Sequence, residues 1–207
     1  VKGMAESSGC IIREDCRIDS LESNGSVFSA GFGIKKFDAI VNCCGPWASQ
    51  LLQDSNIDSN FGLTMVRGSH LYIDQTISRH YLFQEAKGDR VVFVLPYLGK
   101  TLIGTTEVAQ SISEPIKCSD YERQYLIEIY NKNFNTKIEA GNILHEYSGL
   151  RPIVTSRVEG GNLSTASRES KIEVVDKLIN VYGGKWTTSP SLSKKVLSKI
   201  QNLRDNL

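Results

Sequence analysis

The sequence is 207 residues long, enough for one sizeable domain or two small ones sharing a core. Hydrophobic residues make up 40% and charged residues 23%, which excludes wholesale disorder. A net charge of +1 offers no basic excess for tracking phosphates, so nucleic acid is not an expected partner.

No run approaches the ~20 apolar residues of a membrane-spanning helix. The five cysteines have no metal-type spacing and suit a reduced, intracellular setting rather than a disulfide framework. Cys43 and Cys44, adjacent in an apolar run, are expected to be small buried hydrophobes. The chain opens Val1-Lys2-Gly3-Met4, without an initiator Met or a signal-peptide pattern, and so reads as a piece of a longer protein.

In chain order, Gly9 marks a helix end, and short β-type runs follow at 10–12, 16–21 and 27–30. The apolar stretch 38–44 suits a buried parallel strand, which Gly45-Pro46 breaks before a short helix at 47–52. Strands are expected at 66–74, 81–84, 90–97 and 101–106, in succession without helices, hence in an antiparallel sheet of their own. Ser119 and Glu122 form a capping-box pattern opening a helix, with Tyr125, Leu126, Ile129 and Phe134 near one face. Further strands are expected at 143–147, 163–167, 171–175 and 178–182. A last helix follows, with Ser189 as cap, Pro190 in the first turn, and a core stripe of Leu192, Val196, Ile200 and Leu203.

Four segments could carry chemistry, and each has a plain structural alternative. Asn42 to Trp47 closes an apolar strand with a glycine that lets a ligand approach the backbone, or is an ordinary strand-to-helix turn. Val66 to His70 sets an imidazole beside Arg67; His70 could take a proton from an alcohol or be a hydrogen-bonded structural residue. In Tyr147 to Pro152, Arg151 could grip a phosphate or carboxylate through two donors, or pair with an acidic neighbour on the surface. Val181 to Thr188 runs through Gly183 and Gly184 to a helix start, presenting bare amides with Lys185, Thr187 and Thr188, or is a glycine-rich connection. The dinucleotide turn Gly-x-Gly-x-x-Gly is missing: Gly31 to Lys36 lacks the third glycine and precedes no helical pattern. A phosphate-binding P-loop and a His-Glu-x-x-His zinc site are missing too.

Taken together and in order, these segments resemble FAD-dependent glycerol-3-phosphate dehydrogenases of the D-amino-acid-oxidase-like flavoprotein superfamily. The family's Asn-Ala-Ala-Gly-Pro-Trp stands at Asn42 to Trp47, Gly-Ser-His at Gly68 to His70, and Val-Phe-Val-(Ile/Leu)-Pro-Tyr at Val92 to Tyr97. Ile-Gly-Thr-Thr-Asp aligns with Ile103 to Glu107, Tyr-Ser-Gly-(Leu/Val)-Arg-Pro with Tyr147 to Pro152, and Gly-Gly-Lys-Leu-Thr-Thr with Gly183 to Thr188. The set covers the chain from about Ser8 to the last helix. It departs from the family at Glu107 (Asp), Trp186 (Leu), and Ser189-Pro190 (Tyr-Arg).

The resemblance implies a mixed α/β, α+β fold. Remnants of an FAD-binding domain at 1–52 and 148–207 flank a substrate domain at 53–147, an antiparallel sheet covered by the Ser119 helix. It implies oxidation of glycerol 3-phosphate to dihydroxyacetone phosphate by hydride transfer to flavin N5, with His70 and Lys185 catalytic and Arg151 and Arg67 binding substrate. Arg168 also matches, with a less defined role. Gly45, Pro46, Trp47, Gly183, Gly184, Lys185, Thr187 and Thr188 would hold the FAD, and partial positive charge at the last helix start would stabilise the reduced ring. Quinone as electron acceptor and a cytoplasmic place, peripheral on the inner face of the membrane, follow from the same resemblance. Without the pyrophosphate-binding turn the chain alone is expected to hold FAD weakly or not at all. The alternatives are another oxidoreductase of the superfamily, acting on an amino acid or a different hydroxy compound, and a truncated non-catalytic binding module.

Overall fold

Two long strands carry the chain between its two compact units in the computed structural model, which describes residues 1–84, 90–156 and 169–205. One unit comprises Val1–Gly62 with Ser156–Leu207, the other Leu63–Thr155. The expected cut at 148 falls inside a continuous 14-residue strand, so the divide lies further along the chain than the motifs suggested.

The first unit begins with α1 (Lys2–Ser7), followed by β1 (Ser20–Leu21), β2 (Ser26–Ser29) and β3 (Gly33–Lys36), an antiparallel sheet in the order β1-β2-β3. Residues 10–12 are not a strand, and the run 16–21 contributes only its last two residues. The glycine-containing stretch at 31–36, rejected as a dinucleotide turn, supplies β3. Next come β4 (Ile40–Asn42), a 3₁₀ turn (Gly45–Trp47) and α2 (Ala48–Asp54).

The second unit is built on β5 (Phe61–Ile73), β6 (Tyr81–Gln84), β7 (Val91–Tyr97), β8 (Lys100–Gly104), β9 (Val108–Gln110), α3 (Asp120–Asn133) and β10 (Ile143–Ser156). The strands form one sheet in the order β10-β5-β8-β7-β6, with β9 also on β5. Burial alternates along β5, with Met65, Arg67, Ser69, Leu71 and Ile73 turned to the covered face. On that face Leu71, Ile73, Val92, Val94 and Ile103 pack with Leu126, Ile127 and Tyr130 of α3. The capping box at Ser119 and Glu122 is formed in full. The buried helix face is centred on Leu126, Ile127 and Tyr130, with Tyr125, Ile129 and Phe134 at its margin.

The chain returns to the first unit through β11 (Lys171–Val175), β12 (Leu178–Tyr182) and α4 (Ser189–Asp205). β12, buried along its whole length, lies antiparallel to β11 and parallel to β4, the buried parallel strand expected from the apolar run. Glu173 accepts hydrogen bonds from Ser59 Oγ, the Asn60 amide and Tyr182 Oη, which pins residues 59–60 to this sheet. Ser189 is the first helical residue of α4 rather than its cap, because a 3₁₀ turn (Trp186–Thr188) occupies the cap region. The stripe Leu192, Val196, Ile200 and Leu203 is half-buried rather than a core face. The strand expected at 163–167 and Arg168 lie outside the described residues.

Candidate active site

In the second unit, the parity of the strands decides which residues can meet. Side chains alternate along a strand, so Gly68 and His70 stand on the opposite face of β5 from Arg67 and Ser69. Ser148 on β10 reaches Ser69 Oγ at 2.8 Å on the covered face, which assigns Tyr147 and Arg151, each an odd number of residues away, to the open face beside His70.

Close approach on this open face needs two glycines. His70 is paired directly with Gly104 of β8, and a Cβ added there would lie 2.1 Å from His70 Cδ2. A Cβ on Gly68 would lie 2.3 Å from Arg151 Nη2. The imidazole therefore lies over one bare backbone and the guanidinium over another. The His70 ring stacks on Tyr147 with centroids 4.9 Å apart and planes 7° apart. Its Nδ1 is buried without a hydrogen-bond partner. Burial first, and then the positive charge of Arg151, push the His70 pKa below its ordinary value and favour the neutral base. Arg151 donates from Nη1 to Glu107 Oε1 at 2.9 Å, and from Nη2 to Thr105 Oγ1 at 3.0 Å and the Thr106 carbonyl at 3.1 Å.

Arg67, expected to bind substrate, is on the covered face instead. Its Nη2 donates to Glu122 Oε2 at 2.6 Å and its Nη1 to Gln110 Oε1 at 2.6 Å. The side chain is nearly buried and serves as a tie between β5, β9 and α3. Glu122 collects more: Ser69 Oγ, Thr106 Oγ1 and Ser119 Oγ each donate to it at 2.7 Å. The box that opens α3 is thus also the point that holds Ser69 and Thr106, the neighbours in sequence of His70 and Thr105. Sequence reasoning missed this, since the capping pattern shows a helix start but not the strands facing it.

In the first unit, β4 and β12 are adjacent and parallel, so both run out at the same sheet edge. The glycine segments begin there, the position where ligands bind in parallel sheets. Asn42 Nδ2 donates to Asn180 Oδ1 at 3.0 Å and to the Ala48 carbonyl, while Asn42 Oδ1 accepts from the Cys44 amide. This side chain shapes the turn through Gly45. Gly45, Gly183 and Gly184 have φ of 56°, 64° and 104°, conformations that favour glycine. A Cβ on Gly45 would meet nothing, leaving open space beside the turn. Trp47 and Trp186 are exposed here, as are Lys185, Thr187 and Thr188. Lys185 and Thr188 join Ser191 and Lys195 in a cavity of about 330 Å³. Cys43 and Cys44 are exposed, not buried, because β4 ends at Asn42 and they already belong to the turn. An open edge with bare glycines and a lysine fits the flank of a ring system that gains negative charge on reduction, such as a flavin.

Residues 2–197 match the family described as FAD dependent oxidoreductase (DAO), and the chain belongs to it, with FAD as the family's cofactor. Its similarity to glycerol-3-phosphate dehydrogenase of Pseudomonas aeruginosa is 30% identity over 194 residues, covering 89% of this chain and 36% of that protein. D-erythritol 1-phosphate dehydrogenase of Brucella abortus is 32% identical over 173 residues, covering 79% of this chain and 34% of that protein. The chain therefore spans about a third of the length of these relatives. Among solved structures, glycerol-3-phosphate dehydrogenase from Bacillus halodurans, complexed with FAD, superposes with a TM-score of 0.79 at 22% identity, over 97% of this chain and 41% of that one. That likeness establishes the shared fold.

Proposed function

We propose that the chain is part of an FAD-dependent dehydrogenase that oxidises a phosphorylated polyol, glycerol 3-phosphate, to dihydroxyacetone phosphate. The observation that carries the reading is the pairing of a neutral-leaning His70 with the cation of Arg151 on one open sheet face. The names of the relatives supply the substrate class.

Arg151 holds the phosphate through charge-assisted hydrogen bonds and so places the alcohol carbon. His70, with Nδ1 buried, is left with Nε2 to take the hydroxyl proton. Bound FAD would supply the acceptor for the hydrogen and the electron pair that leave the alcohol carbon. Gly45, Pro46, Trp47, Gly183, Gly184, Thr187 and Thr188 would line its place, and Lys185 would set a positive charge beside it. For the whole protein, a quinone at the inner membrane face would be the electron acceptor. Among the described residues no helix is long and apolar enough to cross a membrane.

Arg151→Ala in the FAD-loaded protein tests the reading. Losing the charged phosphate contact is expected to lower kcat/KM for glycerol 3-phosphate by about 10²-fold, with a raised KM. Unchanged kinetics contradicts it.

A further inference from the structure

Between β8 and β9 the chain runs out of step with β5. His70 is paired with Gly104 and Arg67 with Val108, so the two residues Gly68 and Ser69 face three, Thr105, Thr106 and Glu107. One residue more on one side of a pairing is a bulge, a device that re-aims groups beside binding sites. Among the described residues, the hydrogen bonds of Arg151 all go to this segment: Nη1 to Glu107 Oε1, and Nη2 to Thr105 Oγ1 and the Thr106 carbonyl.

Thr106, only 3% exposed, decides how the segment sits. In a regular antiparallel pair, two facing residues can exchange both backbone hydrogen bonds. Here the Thr106 amide donates to the Ser69 carbonyl at 3.3 Å, but the buried Ser69 amide donates at 2.8 Å to Thr106 Oγ1 instead of to the Thr106 carbonyl. The hydroxyl stands in for the carbonyl, and itself donates to Glu122 Oε1 at 2.7 Å. The carbonyl so released accepts from Arg151 Nη2 at 3.1 Å and from Thr105 Oγ1 at 3.2 Å. With its one O–H directed there, Thr105 Oγ1 has lone pairs left to accept from the same Nη2 at 3.0 Å. Both acceptors of Nη2 therefore depend on where the Thr106 carbonyl points.

We propose that Thr106 is a positioning residue: its buried hydroxyl replaces its own carbonyl opposite Ser69, which turns that carbonyl to the open face and fixes Arg151 for an incoming phosphate. The inference rests on Arg151 being the anion seat. Thr106 acts through the guanidinium and touches no substrate. Without the hydroxyl, the buried Ser69 amide has an acceptor only if the carbonyl turns back to it, and leaving such an amide unpaired is costly. Arg151 then loses its Nη2 acceptors and must be ordered afresh each time an anion binds.

The test is an NMR titration of the isotopically labelled chain with inorganic phosphate, following the Arg151 side-chain signals at a temperature where each variant is folded. Thr106→Val removes the hydroxyl at nearly constant shape, Thr106→Ala is a second hydroxyl-free variant should the first not fold, and Thr106→Ser keeps the hydroxyl. Ser119→Ala removes a different donor from Glu122 and leaves Thr106 untouched, so it reports what loss of stability alone does. The His70 ring shift produced by stacking on Tyr147, read without phosphate, reports that the unit is intact. Phosphate is expected to bind Thr106→Val about tenfold more weakly than the unaltered chain, equivalent to about 1.4 kcal/mol, while Thr106→Ser and Ser119→Ala bind it as the unaltered chain does. Undiminished binding by Thr106→Val, no rescue by Thr106→Ser, or an equal loss in Ser119→Ala overturns the positioning role and leaves Arg151 as the seat. In the unaltered chain, a coupling across a hydrogen bond from the Ser69 amide nitrogen to the Thr106 carbonyl carbon is expected to be absent, and its presence overturns the role without any variant. Failure of phosphate to move the Arg151 signals of the unaltered chain overturns the seat itself, and this inference with it.

Discussion

Glu122 shows how one side chain serves the helix and the sheet together. Burial by itself would raise its pKa, but hydrogen bonds from Arg67, Thr106 and Ser119 outweigh that and hold it down at about 2, from an ordinary 4.5. With the folded value below the unfolded one, the ionised form contributes stability above about pH 4.5, and that contribution is lost as pH falls towards 2. Glu122→Gln leaves Arg67 buried without its counter-charge. Urea unfolding at neutral pH is expected to show a loss of about 3–5 kcal/mol, the range for breaking a buried ion pair. The difference from the unaltered chain should shrink as pH is lowered from 4.5 to 2; a difference that does not change with pH contradicts the ionised network. Ser119 and Glu122 were legible as a capping box, but the Arg67–Glu122 pair was not. Arg67 and Glu122 are 55 residues apart and meet only because strand parity turns Arg67 toward the helix.

At the scale of elements, the glycine opposite His70 makes a sharp prediction. Gly104→Ala would force a methyl group into the imidazole, where the added carbon would stand 2.1 Å from Cδ2. The ring must leave Tyr147, at a cost of about 1–3 kcal/mol typical of overpacking. Loss of the ring-current shift at His70, with β5 and β8 still protected from hydrogen exchange, is the expected outcome; an undisturbed His70 signal contradicts the packing. The strands at 81–84, 90–97 and 101–106 were legible to within two residues because apolar alternation and polar turns mark them. The parallel strand ending at Asn42 was legible from its apolar run. β9 was not, since Val108 to Gln110 is too short to show a period, and its pairing to β5 comes from tertiary contact. Ser189 has the right chemistry for a cap, yet the 3₁₀ turn before it carries the chain into α4 already helical.

For the whole molecule, the glycine segments at the ends of β4 and β12 belong to one unit, and His70 with Arg151 to the other. The collinear motifs made both groups legible as candidates, whereas the divide between them was placed too early because motif order carries no information about where a long strand ends. The proposed chemistry requires the two groups to serve one substrate, and the measurement that tests this most directly is anaerobic bleaching of flavin absorbance in the FAD-loaded protein that carries this chain. Glycerol 3-phosphate is predicted to bleach the flavin, and glycine or D-alanine to leave it oxidised. Bleaching by an amino acid with no response to glycerol 3-phosphate would contradict the account.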